Sequence, residues 1–506
     1  MLLAAASAVG TAFRHLALAS LSPETTSWDA ALHALSGLDF FDDMRLLRPL
    51  SAAAGLLSLH WWPPGFAFLS APCFAIFGRT LPSATLPSFF SYLLAAPCAF
   101  LAAAVALGNA TRLEALAAAL LAGAVMLTSP MLLEISTWPM LESTAGLVAA
   151  AAWMLAFLPG RRAARATFLA GAAAFFLKYH YGFFLLATLA ADVALESREA
   201  LRPWARLLAA ALRKPIPLLV LSLAALVAAL RLALEAAGGG AKARILPSVS
   251  NVLWLLYALA LVWSAVRRDT VRAFLSDLPP RAKDFLFWGV LPCAMWCLDP
   301  ANVRAWYRQF FQLSQTPVRN PLAQLTTFGQ VLSGDYLIDP ALAVALVGVL
   351  VLAFVLAPSP RVRLFALFPL WPVLLMSLGR YPVEARFLAS SFPSAVAAAT
   401  LGVLLLSRRA GPRAGPALLA LFLAAAGAVA FRPASRARLV SELEKRSTYR
   451  YALAGEDLAR ARLEIAAAST LPRPEVPADS PVWPTVRLAV RLSRPAVPPD
   501  AVGIVP

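Results

Sequence analysis

The sequence predicts an all-α, polytopic membrane protein with about thirteen transmembrane helices (±2), and three observations carry that reading. Of its 506 residues, 60% are hydrophobic and only 14% charged, with a mean hydropathy of +0.71. An ordinary soluble domain is roughly 45–50% apolar and about 25% charged. Apolar stretches near the ~20 residues needed to span a bilayer recur along most of the chain. Basic residues are also divided unequally between alternate connections. Together these exclude a soluble multi-domain protein and a disordered chain.

Read in order, the candidate spans lie near 1–21, 84–108, 113–130, 141–159, 166–178, 181–196, 215–237, 247–266, 284–299, 337–357, 364–378, 387–407 and 414–431. The first carries Arg14 and His15, which are costly at mid-membrane. It lacks the basic start and small-residue cleavage site of a signal peptide. The stretch 64–78 is apolar but is expected to be re-entrant or interfacial, because a full crossing there would invert every later loop.

With that assignment the inward loops 109–112, 160–165, 197–214, 267–283, 358–363 and 408–413 hold 19 Lys or Arg in 57 residues. The outward loops 22–63, 131–140, 177–181, 238–246, 300–336 and 379–386 hold 10 in 111. This is the asymmetry of the positive-inside rule, and it sets a cytoplasmic N-terminus. The net charge of +17 is therefore chiefly an orientation signal, not the footprint of a nucleic-acid partner. Residues 1–431 form the expected membrane domain. Residues 432–506 are polar and Pro-rich, and are expected to be a small external tail with an amphipathic helix over 438–468. The four cysteines (Cys73, Cys98, Cys293, Cys297) sit in apolar stretches, and two thiols one turn apart make no closed zinc site.

Four outward segments carry chemistry-bearing side chains. The first loop, 22–63, is acidic, with Glu24, Asp29, Asp39, Asp42 and Asp43 against Arg45 and Arg48. It ends in His60-Trp61-Trp62-Pro63-Pro64-Gly65, where the tryptophans suit the headgroup level and the prolines fix the entry angle. The loop 131–140 and its following span supply Glu134 and Glu142. Glu142 begins a helix, so the helix dipole alone would accommodate it; as a functional group it would face a cavity shared with the first loop. Lys178-Tyr179-His180-Tyr181 places a lysine between two apolar spans, where it could snorkel or hold a phosphate. Gly379-Arg380-Tyr381-Pro382-Val383-Glu384-Ala385-Arg386-Phe387 brings two arginines to the outer end of a late span. Arg386 there calls for a phosphate or for an ion pair with Glu384 or Asp29.

The order of these features resembles the GT-C membrane glycosyltransferases, in their protein mannosyltransferase, aminoarabinose transferase and RgtA/B/C/D-like branches. Trp28-Asp29 resembles the family's first-loop catalytic acid, and Leu141-Glu142 its second-loop acid. Lys178-Tyr179 and Ala385-Arg386-Phe387, followed by Pro393, resemble its Lys-Tyr and late Arg-aromatic elements. The likeness covers residues 20–195 and 380–395, and elsewhere rests on hydropathy. Three positions depart from the pattern. His33 stands four residues after Asp29 where a Tyr is common, Trp62 precedes Pro-Pro with His60 displaced, and the second acid is Glu.

The resemblance implies transfer of a sugar from a polyprenyl-phosphate donor to a hydroxyl of a lipid, polysaccharide or protein, outside the plasma (inner) membrane and with inversion. Asp29 would be the base and Glu142 would orient the acceptor or help hold a divalent cation. Lys178, Arg380, Arg386 and His60 would hold the donor phosphate. Asp42 and Asp43, with Glu134, form a competing acidic site able to serve as base or hard-cation ligand. There is no Gly-rich strand-to-helix nucleotide turn, and Gly238-Gly239-Gly240-Ala241-Lys242 lacks the phosphate-loop ending. The rival classes are a transporter or flippase of lipid-linked glycans and a catalytically inactive relative. Most span centres are uncharged, apart from Arg231 and Glu235, which favours an enzyme over a transporter.

Overall fold

A computed structural model of the chain describes residues 28–59, 63–199, 268–299, 301–303, 305, 321–337, 339–378, 384–431, 455–470, 475–477, 480, 482–493 and 503–505, with a few isolated positions. The candidate spans 1–21, 215–237 and 247–266 fall outside these residues, as does the glycine run at 238–240.

Helices dominate. The first loop of the sequence reading is largely helical: α1 covers Trp28–Arg45 and α2 Pro49–Leu57. The reason is an apolar stripe too sparse to register as a span. Ala30, Ala31, Ala34, Leu35 and Leu38 recur at helical spacing and are all buried. They face α3 (Gly65–Phe77), whose 13 residues are about 20 Å long, short of the ~30 Å hydrocarbon core.

Next come α4 (Leu81–Leu107), α5 (Arg112–Leu127), α6 (Pro130–Ser136), α7 (Leu141–Phe157), α8 (Arg161–Leu177) and α9 (Tyr179–Glu196). The expected loop 131–140 is thus mostly the short helix α6, every residue of which is buried. Two caps fix this region. Thr80 accepts from the Ser83 amide at the start of α4, and Thr111 with Glu114 forms a reciprocal capping box on α5.

The later helices are α10 (Arg268–Asp277), α11 (Pro280–Asp284), a π-helical turn Phe285–Val290 that continues into α12 (Leu291–Trp296), and α13 (Pro321–Val331). They are followed by α14 (Pro340–Leu356), α15 (Pro360–Leu367) and α16 (Leu370–Leu378), a 3₁₀ turn Ala385–Ser390, and α17 (Phe392–Phe431). α17 is two helices meeting at Gly411, whose φ of 84° breaks the ladder where the sequence places the loop 408–413. Among the described residues only α4 and the stretch Phe392–Ala428 are each long and apolar enough to cross a membrane alone. Two sharply bent helix pairs, α5 with α6 and Leu322–Tyr336 with α14, meet the same test together.

The tail departs from an all-α description. It holds α18 (Gly455–Thr470), α19 (Trp483–Ser493) and a parallel pair of three-residue strands, Glu475–Pro477 with Gly503–Val505. It has its own small core of Ala461, Ala468, Val482, Val486 and Val490. Through Leu488 it also joins the apolar cluster around α1.

Ion pairs gather the ends of the helices that the sequence assigns to the inward side. Arg361 Nε lies 3.0 Å from Asp192 Oδ1, and its Nη1 donates to the Ala156 carbonyl at 3.1 Å. Arg281 binds the same Asp192 and Glu196. Arg408 closes on Glu114 at 2.7 Å and donates to the carbonyls of Leu107, which ends α4, and of Gly108 and Asn109 just beyond it. The Arg361 and Arg281 contacts sit at the C-terminal ends of α7 and α9, and those of Arg408 where α4 ends and α5 begins, whereas Glu142 begins α7, about 21 Å from its end at 1.5 Å per residue.

Candidate functional site

Four segments far apart in sequence meet at that other end. Asp29 lies in the first turn of α1, Glu142 in the first turn of α7, Lys178 between α8 and α9, and Arg386 on the 3₁₀ turn. Local structure explains each placement. The α6–α7 connection is pinned by Ser88, whose hydroxyl donates to the Met140 carbonyl at 2.6 Å and accepts from the Met140 amide at 3.1 Å. The 3₁₀ turn is held by Tyr336, whose hydroxyl donates to the Ala385 carbonyl at 2.7 Å. It also rides against Gly146 of α7: a Cβ there would stand 2.5 Å from the Ala389 carbonyl oxygen. Lys178 is extended (φ −156°, ψ 125°) and breaks α8 from α9, which cross so tightly at Gly182 that a Cβ would overlap Phe175.

The side chains form a chain of charge. Arg386 Nη1 donates to Asp29 Oδ2 at 2.6 Å, and its Nε donates to Glu384 Oε2 at 2.5 Å and stands 4.0 Å from Glu142 Oε1. Lys178 Nζ donates to the same Glu142 oxygen at 3.1 Å, with side chains only 2% and 1% exposed. Glu142 Oε2 has no hydrogen-bond partner among the described residues. Phe387 lies under both cations, 4.9 Å from Lys178 Nζ and 5.6 Å from the Arg386 guanidinium carbon. Tyr181 faces Lys178 at 5.3 Å and stacks edge-on against the buried His180. The next link is Tyr179, whose hydroxyl accepts from Trp296 Nε1 at 2.9 Å.

Asp29 is partly accessible, its side chain 22% exposed, between the buried Glu142 and the more exposed Glu384. Arg386 engages its Oδ2, while Oδ1 makes no hydrogen bond among the described residues. Burial pushes the Asp29 carboxyl up, but Arg386, with His33 and Lys178, outweighs it and holds the group below its ordinary value. His33, one turn on, is buried against Phe66. Burial lowers it to about 4, against the pull of Asp29 and Glu142, so its ring is neutral at physiological pH.

The other candidates lie elsewhere. Glu134 is buried in α6, which packs against the 3₁₀ turn. Asp42 and Asp43 stand apart from this cluster. They are at the far end of α1, about 20 Å along the helix from Asp29. Asp42 is 2.9 Å from Arg79 and 2.5 Å from the fully buried Arg491 of α19, so two guanidiniums already neutralise it. Asp43 accepts from the Ser51 hydroxyl at 3.0 Å. His60 and Arg380 lie outside the described residues. Among the described residues no group of three or more His, Cys, Asp or Glu is arranged to hold a metal ion. The shared aromatic floor of Phe387 and the anchoring of α1 by Arg491 were missed in the sequence. The second had a signal: Arg487 and Arg491 at i, i+4 in the tail complement the acidic run Asp39–Asp43.

No family model matches the chain, and no curated protein matches it. Among solved structures it is similar to ArnT from Cupriavidus metallidurans bound to undecaprenyl phosphate, with a TM-score of 0.53 and 13% identity over 99% of this chain and 89% of that one. The apo state of the same protein gives 0.50 and 13% over 98% and 90%. The chain therefore shares, over nearly its whole length, the fold of ArnT.

Proposed function

We propose that this protein is an integral membrane glycosyltransferase that moves a sugar from a polyprenyl-phosphate carrier to an acceptor hydroxyl at the external face of the inner membrane. One observation carries the reading. An accessible carboxylate on α1 and a buried one on α7 are bridged by two cations, Lys178 and Arg386, that reach the cluster from separate segments. That pattern supports chemistry in which a base and anion-binding groups act on one substrate. The fold-mate's bound undecaprenyl phosphate supports a lipid phosphate as the group that the cations receive.

In this mechanism the acceptor hydroxyl approaches Asp29 Oδ1, which needs hydrogen-bond reach to its proton. The hydroxyl oxygen attacks the anomeric carbon, its proton passes to Asp29, and the bond from that carbon to the phosphate oxygen breaks. The polyprenyl phosphate leaves with the electron pair and one more negative charge, which Lys178 and Arg386 offset. Direct displacement inverts the anomeric centre. Arg386 keeps Asp29 ionised, so the base is poised before substrate arrives. Glu142 holds Lys178 in place and presents Oε2 to the acceptor.

The test is Asp29→Asn in a membrane-expressed protein supplied with a lipid-linked sugar. We expect turnover to fall by ~10³-fold or more with expression unchanged, since the acceptor's proton loses its base. Mass spectrometry of envelope glycans from a deletion strain should show one missing sugar. Full activity of the variant would refute the role of Asp29.

A further inference from the structure

At the opposite end of α8 from Lys178, the structure opens a cleft of about 400 Å³ lined by Arg161, Arg165, Lys283, Asp284, Phe287 and Trp288. Asp284 is buried, accepting from Arg161 Nε at 2.8 Å and Arg165 Nε at 3.0 Å. The two arginines remain 58% and 41% exposed, so they are anchored at one edge and open at the other. Lys283 Nζ donates to the Ser276 carbonyl at 2.8 Å and adds a third cation. Three positive side chains against one carboxylate leave the cleft with an excess of two charges.

Its remaining wall is not that of a soluble-anion site. Phe287 and Trp288 are exposed on the π-helical turn, a local widening that often marks functional positions. Leu291 and Met295 continue the exposed apolar line along α12. A cationic mouth, an aromatic rim and an apolar track in that order match a molecule with an anionic head and hydrocarbon tails. All three cations fall in segments that the sequence assigns to the basic, inward side.

We propose that this cleft binds the headgroup of an anionic phospholipid of the inward leaflet, its phosphodiester between Arg161, Arg165 and Lys283 and its acyl chains along Phe287, Leu291 and Met295. The inference rests on the membrane reading of the chain and not on its transfer chemistry, so loss of either leaves the other measurable.

The experiment is native mass spectrometry of the full-length protein from nanodiscs of phosphatidylcholine with graded phosphatidylglycerol. The variant R161Q/K283Q removes two charges while Arg165 still holds Asp284. The control R409Q/R413Q removes two exposed charges elsewhere on the same side. We expect the wild type and control to retain one phosphatidylglycerol that the site variant binds ~30-fold more weakly. A second variant, Trp288→Ala, touches no ion pair and should also weaken retention. Equal retention in site variant and control, equal retention of phosphatidylcholine, or displacement of the lipid by excess inorganic phosphate would each overturn the proposal.

Discussion

Replacing Lys178 by methionine keeps the length of the side chain and removes its charge, and so isolates what the buried pair with Glu142 contributes. At the observed 3.1 Å, two unit charges attract by ~5 kcal/mol at an effective dielectric constant of about 20. Most of that is cancelled by desolvation, but taking away one partner strands the other. Glu142 would keep only Arg386, at 4.0 Å. Breaking a buried pair in this way costs about 3–5 kcal/mol, whereas replacing both members by apolar groups is often close to neutral. The single variant Lys178→Met should therefore lower the thermal midpoint by several degrees in fluorescence-detected size exclusion. The double variant Lys178→Met/Glu142→Leu should recover most of the loss. Transfer from a lipid-linked sugar should stay absent in both, because the double variant restores packing and no anion-binding donor. A single variant as stable as the wild type would refute the energetics. A double variant that regains transfer would reduce the pair to a structural device.

Three further outcomes are expected. His33 is lowered to about 4 in the folded protein, from an ordinary value near 6.5, so the unfolded chain binds more protons between those values. Its stabilising contribution is complete above pH 6.5 and fades as pH falls toward 4, by about 3 kcal/mol in all; thermal midpoints across that window should drop, and His33→Gln should flatten the decline. In Gly146→Ala the new methyl meets the Ala389 carbonyl oxygen at 2.5 Å and displaces the turn carrying Arg386. We expect a loss of about 1–3 kcal/mol and impaired transfer, while Gly123→Ala, with nothing within 4 Å, should leave both intact. Arg491→Met leaves Asp39 to Arg487 at 3.5 Å and Asp42 to Arg79 alone, costing about 3 kcal/mol; limited proteolysis should then cut the segment 432–506 faster than in the wild type.

The sequence by itself pointed to an apolar, largely helical chain, and described helices such as α4, α5, α7 and α9 fall where its candidate spans lie. Those properties are local: hydropathy over ~20 residues, prolines and glycines at the breaks, and bases in short loops each act through nearby chain. Even the break at Gly411 within α17 was legible, because a left-handed φ between Pro-flanked apolar runs is a local event. Short amphipathic elements were not legible in this way. α1 and α6 read as loops because their apolar stripes fall below a membrane window and become meaningful only against α3, α4 and the 3₁₀ turn. The tertiary structure alone decided which acids share a partner. Asp29 and Asp42 lie on one helix and look equivalent in the sequence. One meets Arg386 from 357 residues away, and the other Arg491 from 449. Charge pairing across such separations depends on how helices cross, and close approaches such as that at Gly146 set those crossings, which no local pattern encodes.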